Sequence, residues 1–201
     1  MVTLGAVKAY YEARAREYDD WWLGDGLYGE YDRPGWDEAR MGLEGWLAGL
    51  PPARTLDVAC GTGFMTRHLR GDVTGLDQSE SMVAVAREQA PQATFVVGDA
   101  LNLPFEDGTF ERLYTGYFYC HLEEGDRQHF LGEARRVARE LVIVGSVLRD
   151  DAEAERWEER KLKDGTRWQV YKRVFVPSEL AAELGGRVLH ENGYFVMVAA
   201  P

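Results

Sequence analysis

The stretch Thr55-Leu56-Asp57-Val58-Ala59-Cys60-Gly61-Thr62-Gly63-Phe64 constrains this chain more than any other. Leu56 and Val58 alternate as a short buried strand, and the run from Thr62 to Leu69 predicts the start of a helix. A turn of small residues, Ala59 to Gly63, joins them. Such a turn lets a ligand approach the backbone closely, and the N–H groups at a helix start then face it. The stretch therefore reads as a nucleotide-type site. A dinucleotide fingerprint, Gly-x-Gly-x-x-Gly, laid on Gly61 and Gly63 puts Thr66 at the third glycine, where a side chain would hold the helix off the sheet. The competing pattern, acidic-x-small-x-Gly-x-Gly, is met by Asp57, Ala59, Gly61 and Gly63. A structural strand-turn-helix with incidental glycines is the plain alternative.

Two further strand ends carry carboxylates. Asp72 to Leu76 reads as a second strand, running into Asp77-Gln78-Ser79 and a helix through Gln89. Asp77 lies where an acidic residue accepts both ribose hydroxyls of an adenosine. It could equally cap the helix, a job open to Ser79 as well. Phe95 to Val97 reads as a third strand, followed by Gly98-Asp99-Ala100-Leu101-Asn102-Leu103-Pro104-Phe105.

In this order the three stretches resemble the class I S-adenosylmethionine (SAM)-dependent methyltransferases, with residues 55–63 similar to their motif I. The resemblance implies SAM as cofactor and S-adenosylhomocysteine (SAH) as product. It implies that Asp57, Ala59, Cys60, Gly61 and Gly63 form the donor turn, with a carboxylate near the positive sulfonium and amino acid tail. Leu76-Asp77-Gln78-Ser79-Glu80-Ser81-Met82 follows the family pattern, in which Asp77 and Gln78 flank the ribose and Met82 packs near the adenosine. Asp99 would accept from the adenine N6 amino group while the next backbone N–H donates to N1, with Ala100 and Leu101 beside the base. Tyr11-Glu12-Ala13-Arg14-Ala15-Arg16-Glu17-Tyr18-Asp19 resembles the aromatic-x3-Ala-x2-Tyr-Asp opening of many small-molecule members, whose N-terminal helix closes over the cofactor. The same aromatics at helical spacing would also serve as plain packing.

The remaining chain completes an α/β pattern. Trp36 to Leu50 is an amphipathic helix entered by Pro34 and ended by Gly49 and Pro51-Pro52. Gly24 to Gly29 reads as a mobile glycine-rich loop. Phe110 to Gly116 is a fourth strand, Glu123 to Arg139 a helix, and Leu141 to Val147 a fifth strand, apolar throughout as a buried parallel strand should be. Asp150 to Arg160 is charged and reads as a solvated helix or loop. Asp164-Gly165 signals a hairpin before a strand at Gln169 to Val176. Pro177 opens a helix ending at Gly185-Gly186, and Asn192-Gly193 sits between the two apolar runs of a last hairpin. Strands alternating with helices predict a Rossmann-like, doubly wound parallel sheet. The family order implied for it is 3-2-1-4-5-7-6, with a C-terminal antiparallel hairpin. We expect a single domain over 1–201, with residues 1–50 as a helical cap and 150–176 as an insertion near an acceptor pocket.

Composition narrows the function. The net charge of -11 argues against a nucleic-acid partner, whose phosphates call for Lys and Arg. No apolar run has membrane-spanning length, and Met1 to Tyr10 lacks a signal-peptide core, so a cytoplasmic protein is expected. Two cysteines, Cys60 and Cys120, make no disulfide framework, and no His/Cys cluster has metal-ligand spacing. Thr115-Gly116-Tyr117-Phe118 stands where amine-methylating branches carry Asn/Asp-Pro-Pro-Tyr, a departure that speaks against their acceptors. Tyr18, Trp22, Tyr117 and Tyr119 are candidates to shape the pocket, their ring faces suiting a sulfonium or an aromatic acceptor, and Tyr117 is also expected at the strand edge among the cofactor-binding residues. Of four histidines, His121 follows the fourth strand, where the acceptor should lie. It is the candidate base, with Tyr18 as a second catalytic candidate; a hydrogen-bonding or helix-entry role is the alternative for His121. The resemblance points to methyl transfer onto a small-molecule acceptor, similar to the ubiquinone/menaquinone-biosynthesis group. A SAM-binding sensor or partner subunit and a nicotinamide-dependent oxidoreductase are the competing readings.

Overall fold

The computed structural model describes residues 4–149 and 153–201. Seven strands form one sheet: β1 (Ala53–Val58), β2 (Gly71–Asp77), β3 (Thr94–Val97), β4 (Phe110–Gly116), β5 (Ala138–Ser146), and, after a two-stranded excursion β6 (Glu155–Lys161) and β7 (Arg167–Arg173), β8 (Arg187–Glu191) and β9 (Phe195–Ala200). Their order is β3-β2-β1-β4-β5-β9-β8. The first five pair in parallel, and β9 lies antiparallel between β5 and β8. Counting only strands of this sheet, that is the expected 3-2-1-4-5-7-6. The helices are α1 (Leu4–Arg14), α2 (Asp20–Leu23), α3 (Trp36–Gly49), α4 (Glu80–Gln89), α5 (Glu124–Val137) and α6 (Pro177–Leu184).

Burial explains the layering. Leu141 to Val144 of β5 and Phe195 to Val198 of β9 are buried on both faces, so these strands sit mid-sheet with helices on either side. α3 turns Trp36, Leu43 and Leu47 inward, a seven- and four-residue spacing that keeps one stripe against the core. Each buried Leu or Phe of this kind contributes about 1.5–3 kcal/mol. α4 is capped by Ser79, whose hydroxyl accepts from the Met82 N–H at 3.1 Å. α6 begins at Pro177 and ends in Gly185, a left-handed residue with φ 66°.

Three local expectations are corrected. The run after the glycine turn is no α-helix: only Thr66–His68 coils, as a 3-10 turn. The crossover from Val58 to Gly71 explains why. Once the turn is made, residues 64–70 must travel back along β2. An α-helix of that length would advance only about 10 Å, whereas a strand like β2 is roughly 23 Å long. The tighter coil and the extended Leu69 cover more distance per residue. Second, the charged segment contains β6, not a helix or loop. Its charges pair on the sheet, Arg173 with Glu155, Arg156 and Arg160 with Glu158, and Arg167 with Glu159. Residues 150–152 of that segment lie outside the described residues. Third, α5 stops at Val137 because Ala138 already pairs with Phe110.

Candidate active site

The cleft lies beyond the carboxyl ends of β1, β2 and β4, beside the point where the strand order reverses. Its floor is the glycine turn. Ala59, Gly61 and Gly63 take φ values of 56°, 55° and 77°. For Ala59 that conformation costs of order 1–2 kcal/mol, and the turn offsets it with hydrogen bonds: Cys60 N–H donates to Leu76 O at 3.0 Å and Gly63 N–H to Cys60 O at 3.0 Å. Ala59 and Gly61 face the cleft. A Cβ on Gly61 would stand 3.5 Å from the Tyr18 ring, so Tyr18 roofs the turn. Gly63 faces elsewhere. Its Cβ would meet Ala86 Cα of α4 at 3.2 Å, so this glycine serves helix packing. The Cys60 side chain packs with the Val83, Ala86 and Phe95 cluster, leaving its backbone to the turn; burial pushes its thiol well up.

Asp77, 8% exposed, accepts from Gly61 N–H (2.9 Å) on Oδ2 and from Ser79 N–H (2.9 Å) on Oδ1. It ties the two strand ends together. Capping of α4 falls to Ser79 and to Glu12 of α1, whose carboxylate accepts from Glu80 N–H (2.8 Å) and Ser81 N–H (3.1 Å). Burial raises the Asp77 pKa, against those N–H bonds. Gln78, Asp99, Ala100 and Leu101 line the same wall, with Asp99 Oδ1 accepting from Leu101 N–H at 2.9 Å. Met82 does not reach this wall; it is fully buried beneath it.

Asp57 sits deeper, 2% exposed, in a small recess under Ala59 and Gly116 that Tyr18 also lines. Thr66 Oγ1 donates to its Oδ2 at 2.6 Å. Burial raises its pKa to about 7, with Thr66 pulling down and Asp77 pushing up. The Tyr114 hydroxyl borders the same recess, is buried, and has no hydrogen-bond partner among the described residues. Among the described residues neither Asp57 nor Asp77 has a cationic side chain paired with it. Two buried carboxylates and an orphan hydroxyl around one glycine turn suit a ligand with a cationic, amino-acid-like end and a hydroxylated sugar.

On the opposite wall stand Tyr117, a left-handed residue at φ 63°, and His121. His121 Nδ1 lies 2.6 Å from the carbonyl of Tyr171, which fixes the proton on Nδ1 and leaves Nε2 as acceptor. Desolvation, then the neighbouring Lys172, pushes its pKa down to about 3. A general base works best with a pKa near the operating pH, so His121 is set as a neutral hydrogen-bonding group and not as the base. The Tyr18 phenol is pushed up by burial and is likewise no proton acceptor; Arg14 stacks over its ring at 4.7 Å. Trp22 is 3% exposed and stacks on Phe64; it does not line the open cleft but walls the recess that holds Asp57. Tyr119 is fully buried and donates to Glu183 at 2.5 Å, so it too is structural. The β6–β7 hairpin, part of the 150–176 insertion, adds Trp157, Val170 and Tyr171 to the wall, residues that the sequence did not single out.

Residues 55–140 match the family described as a methyltransferase domain. That match covers less than half of the chain. The demethylmenaquinone methyltransferase of Thermotoga maritima is 37% identical over 101 residues, 46% of this chain and 43% of that protein. Its counterpart in Bacillus cytotoxicus is 37% identical over 44% of this chain and 41% of its own length. The matched part of the chain thus spans less than half the length of these curated relatives. Among solved structures, the DhpI–SAM–HEP complex has a TM-score of 0.77 and 25% identity over 100% of both chains. Magnesium protoporphyrin IX methyltransferase (ChlM) from Synechocystis PCC 6803, with bound SAH, shares the fold alone, with a TM-score of 0.66 and 15% identity over 98% of each chain. The residues matched by the family end before the β6–β7 hairpin, so what the hairpin adds to the cleft is read from this structure alone.

Proposed function

We propose that the chain transfers the methyl group of SAM to a small-molecule acceptor. The observation that carries this reading is the pair of buried carboxylates, Asp57 and Asp77, converging on the glycine turn without cationic partners among the described residues. A sulfonium nucleoside with an ammonium tail answers both. The pyrophosphate of a nicotinamide dinucleotide would be repelled by Asp57 at the very turn that should cradle it. SAM supplies, when bound, an intrinsically electrophilic methyl group. The chain's own part is then to hold the tail at Asp57, the ribose at Asp77 and the adenine beside Asp99, and to align an acceptor on the Tyr117 side. Tyr18 over Gly61 keeps water from the reacting end. In this reading residues 1–201 act as one unit, with 1–50 as cap and the hairpin of the 150–176 insertion at the acceptor wall. A cytoplasmic setting fits the free thiols of Cys60 and Cys120, and no described helix is long and apolar enough to cross a membrane.

Thermal-shift measurements test the donor. SAM and SAH are expected to raise the melting temperature and NAD to leave it unchanged, since only a ligand of the native state stabilises it. A larger shift with NAD than with SAH overturns the assignment.

A further inference from the structure

Beside the cleft, and sharing Tyr18, Tyr117 and His121 with it, lies a second recess walled by α1 and β7. Its charged side chains are Arg14, Arg160 and Lys172, and no carboxylate lines it among the described residues. This is unusual in a chain of net charge -11. Lys172 is 6% exposed. Its ammonium has the Cys120 thiol at 3.2 Å and the Tyr117 ring at 4.9 Å, neither of which neutralises it. Arg14 is 9% exposed and, among the described residues, donates only to phenols, Tyr10 at 2.8 Å and Tyr28 at 3.2 Å. Arg160 shares the single carboxylate of Glu158 with Arg156. Buried cations without counter-charge are costly, and they persist where a ligand supplies the missing anion.

The recess is also rich in neutral donors. Burial raises the phenols of Tyr11, Tyr18 and Tyr117, so each keeps its proton near neutral pH. The same cations, after desolvation, account for the depressed His121, on which Lys172, Arg160 and Arg14 all act. Carboxylates line the cleft at the glycine turn, at the adenosine wall and, as Glu123 and Asp126, beyond His121, whereas the recess walled by α1 and β7 carries cations alone among the described residues.

We propose that this recess is an oxyanion subsite for the acceptor: the molecule that is methylated carries a carboxylate or a phosphoryl-type group, seated against Lys172 and Arg14. This rests on the methyltransferase reading above and adds the substrate class to it. Tyr18 spans both recess and glycine turn, so an anion held here is anchored next to the methyl-bearing end and away from the adenine wall.

Calorimetric titration of the SAH-loaded protein with inorganic phosphate, with acetate and with glycerol tests it. Saturable binding of phosphate or acetate, and none of glycerol, is expected; the tighter anion tells phosphoryl from carboxylate acceptors. Lys172→Met and Arg14→Gln should each weaken that anion at least tenfold while SAH affinity stays within twofold. Lys172→Arg, which keeps the charge, should stay within about threefold of wild type, and it serves if the Met variant does not fold. Anion binding unaffected by both neutral substitutions, or no saturable anion binding to a protein that binds SAH, overturns the oxyanion subsite and leaves the donor site standing. Failure of SAH itself to bind overturns the methyltransferase reading and this one with it.

Discussion

In the proposed reading, Asp57 serves binding at the expense of stability. Its carboxyl is held at about 7 by burial, above the ordinary carboxylate value, so the folded state binds its proton more tightly than the unfolded chain. The stability it contributes is present in acid and is lost as pH rises through about 7. Asp57→Asn is therefore expected to melt higher than the ligand-free wild type at about pH 8, by on the order of 1–3 kcal/mol, with the gap closing toward pH 5. A cationic ligand reverses the balance, because it favours the ionised form. SAM affinity of the wild type should rise up to about tenfold per pH unit below pH 7 and level off above it, while Asp57→Asn should bind weakly with a flat profile. Calorimetry across pH checks both. A pH-independent wild-type affinity would remove Asp57 from the donor site. The carboxylate itself was plain in the sequence; its perturbed proton was not, because the desolvation comes from residues such as Tyr114 and Trp22 that are distant in the chain.

At the scale of elements, the glycine turn reads as one motif in sequence but does two jobs in space. Gly61 opens the backbone to the cleft, whereas Gly63 lets the turn sit on α4. Gly63→Ala is expected to destabilise the protein by about 1–3 kcal/mol in chemical denaturation, since it adds both a left-handed strain at φ 77° and a 3.2 Å contact with Ala86 Cα. An unchanged midpoint would mean that α4 yields without cost. The helix expected after the turn is missing for a reason of length that only the position of Gly71 in β2 makes visible. β6 was hidden by its charges. A signal for it did exist: a hairpin turn at Asp164-Gly165 with a strand on one side requires a partner of similar length on the other.

Across the whole molecule, the N-terminal cap and the β6–β7 hairpin are latched to each other. Tyr10 of α1 packs with Leu162 and Val170 of the hairpin, the Glu17 carboxylate accepts from Lys163 N–H at 3.0 Å, and Lys163 Nζ reaches Asp20 at 2.5 Å. The cap is also tied to the main sheet side through Glu12 on α4, and through Asp19, which accepts from Thr62 Oγ1 and from Gln89 Nε2. Together they roof the cleft, so they are expected to respond to ligand as one unit. Amide exchange of residues 8–30 and 155–173 should slow together on adding SAH, while β1 stays protected throughout. Lys163→Glu, which sets like charges at the latch, should speed exchange of both segments in the ligand-free protein. Equal protection with and without SAH would make the roof permanent scaffold.

By itself the sequence determined the alternation of strands and helices, the glycine turn and the carboxylates at three successive strand ends, while the order of the sheet followed from the family resemblance. These were legible because each is written in a contiguous run: an apolar strand, then the residue that follows it, which the parallel topology delivers to one edge. Tertiary structure alone decided which of those residues face the ligand. Met82 and Tyr119, candidates by motif or by type, are buried in the core, because packing selects a face that residue type does not encode. It alone turned His121 from a candidate base into a neutral acceptor, through a carbonyl fifty residues away. It also gathered Arg14, Arg160 and Lys172 around one recess: they lie far apart in the chain, and only the folding of α1 and the hairpin across the cleft brings their charges together.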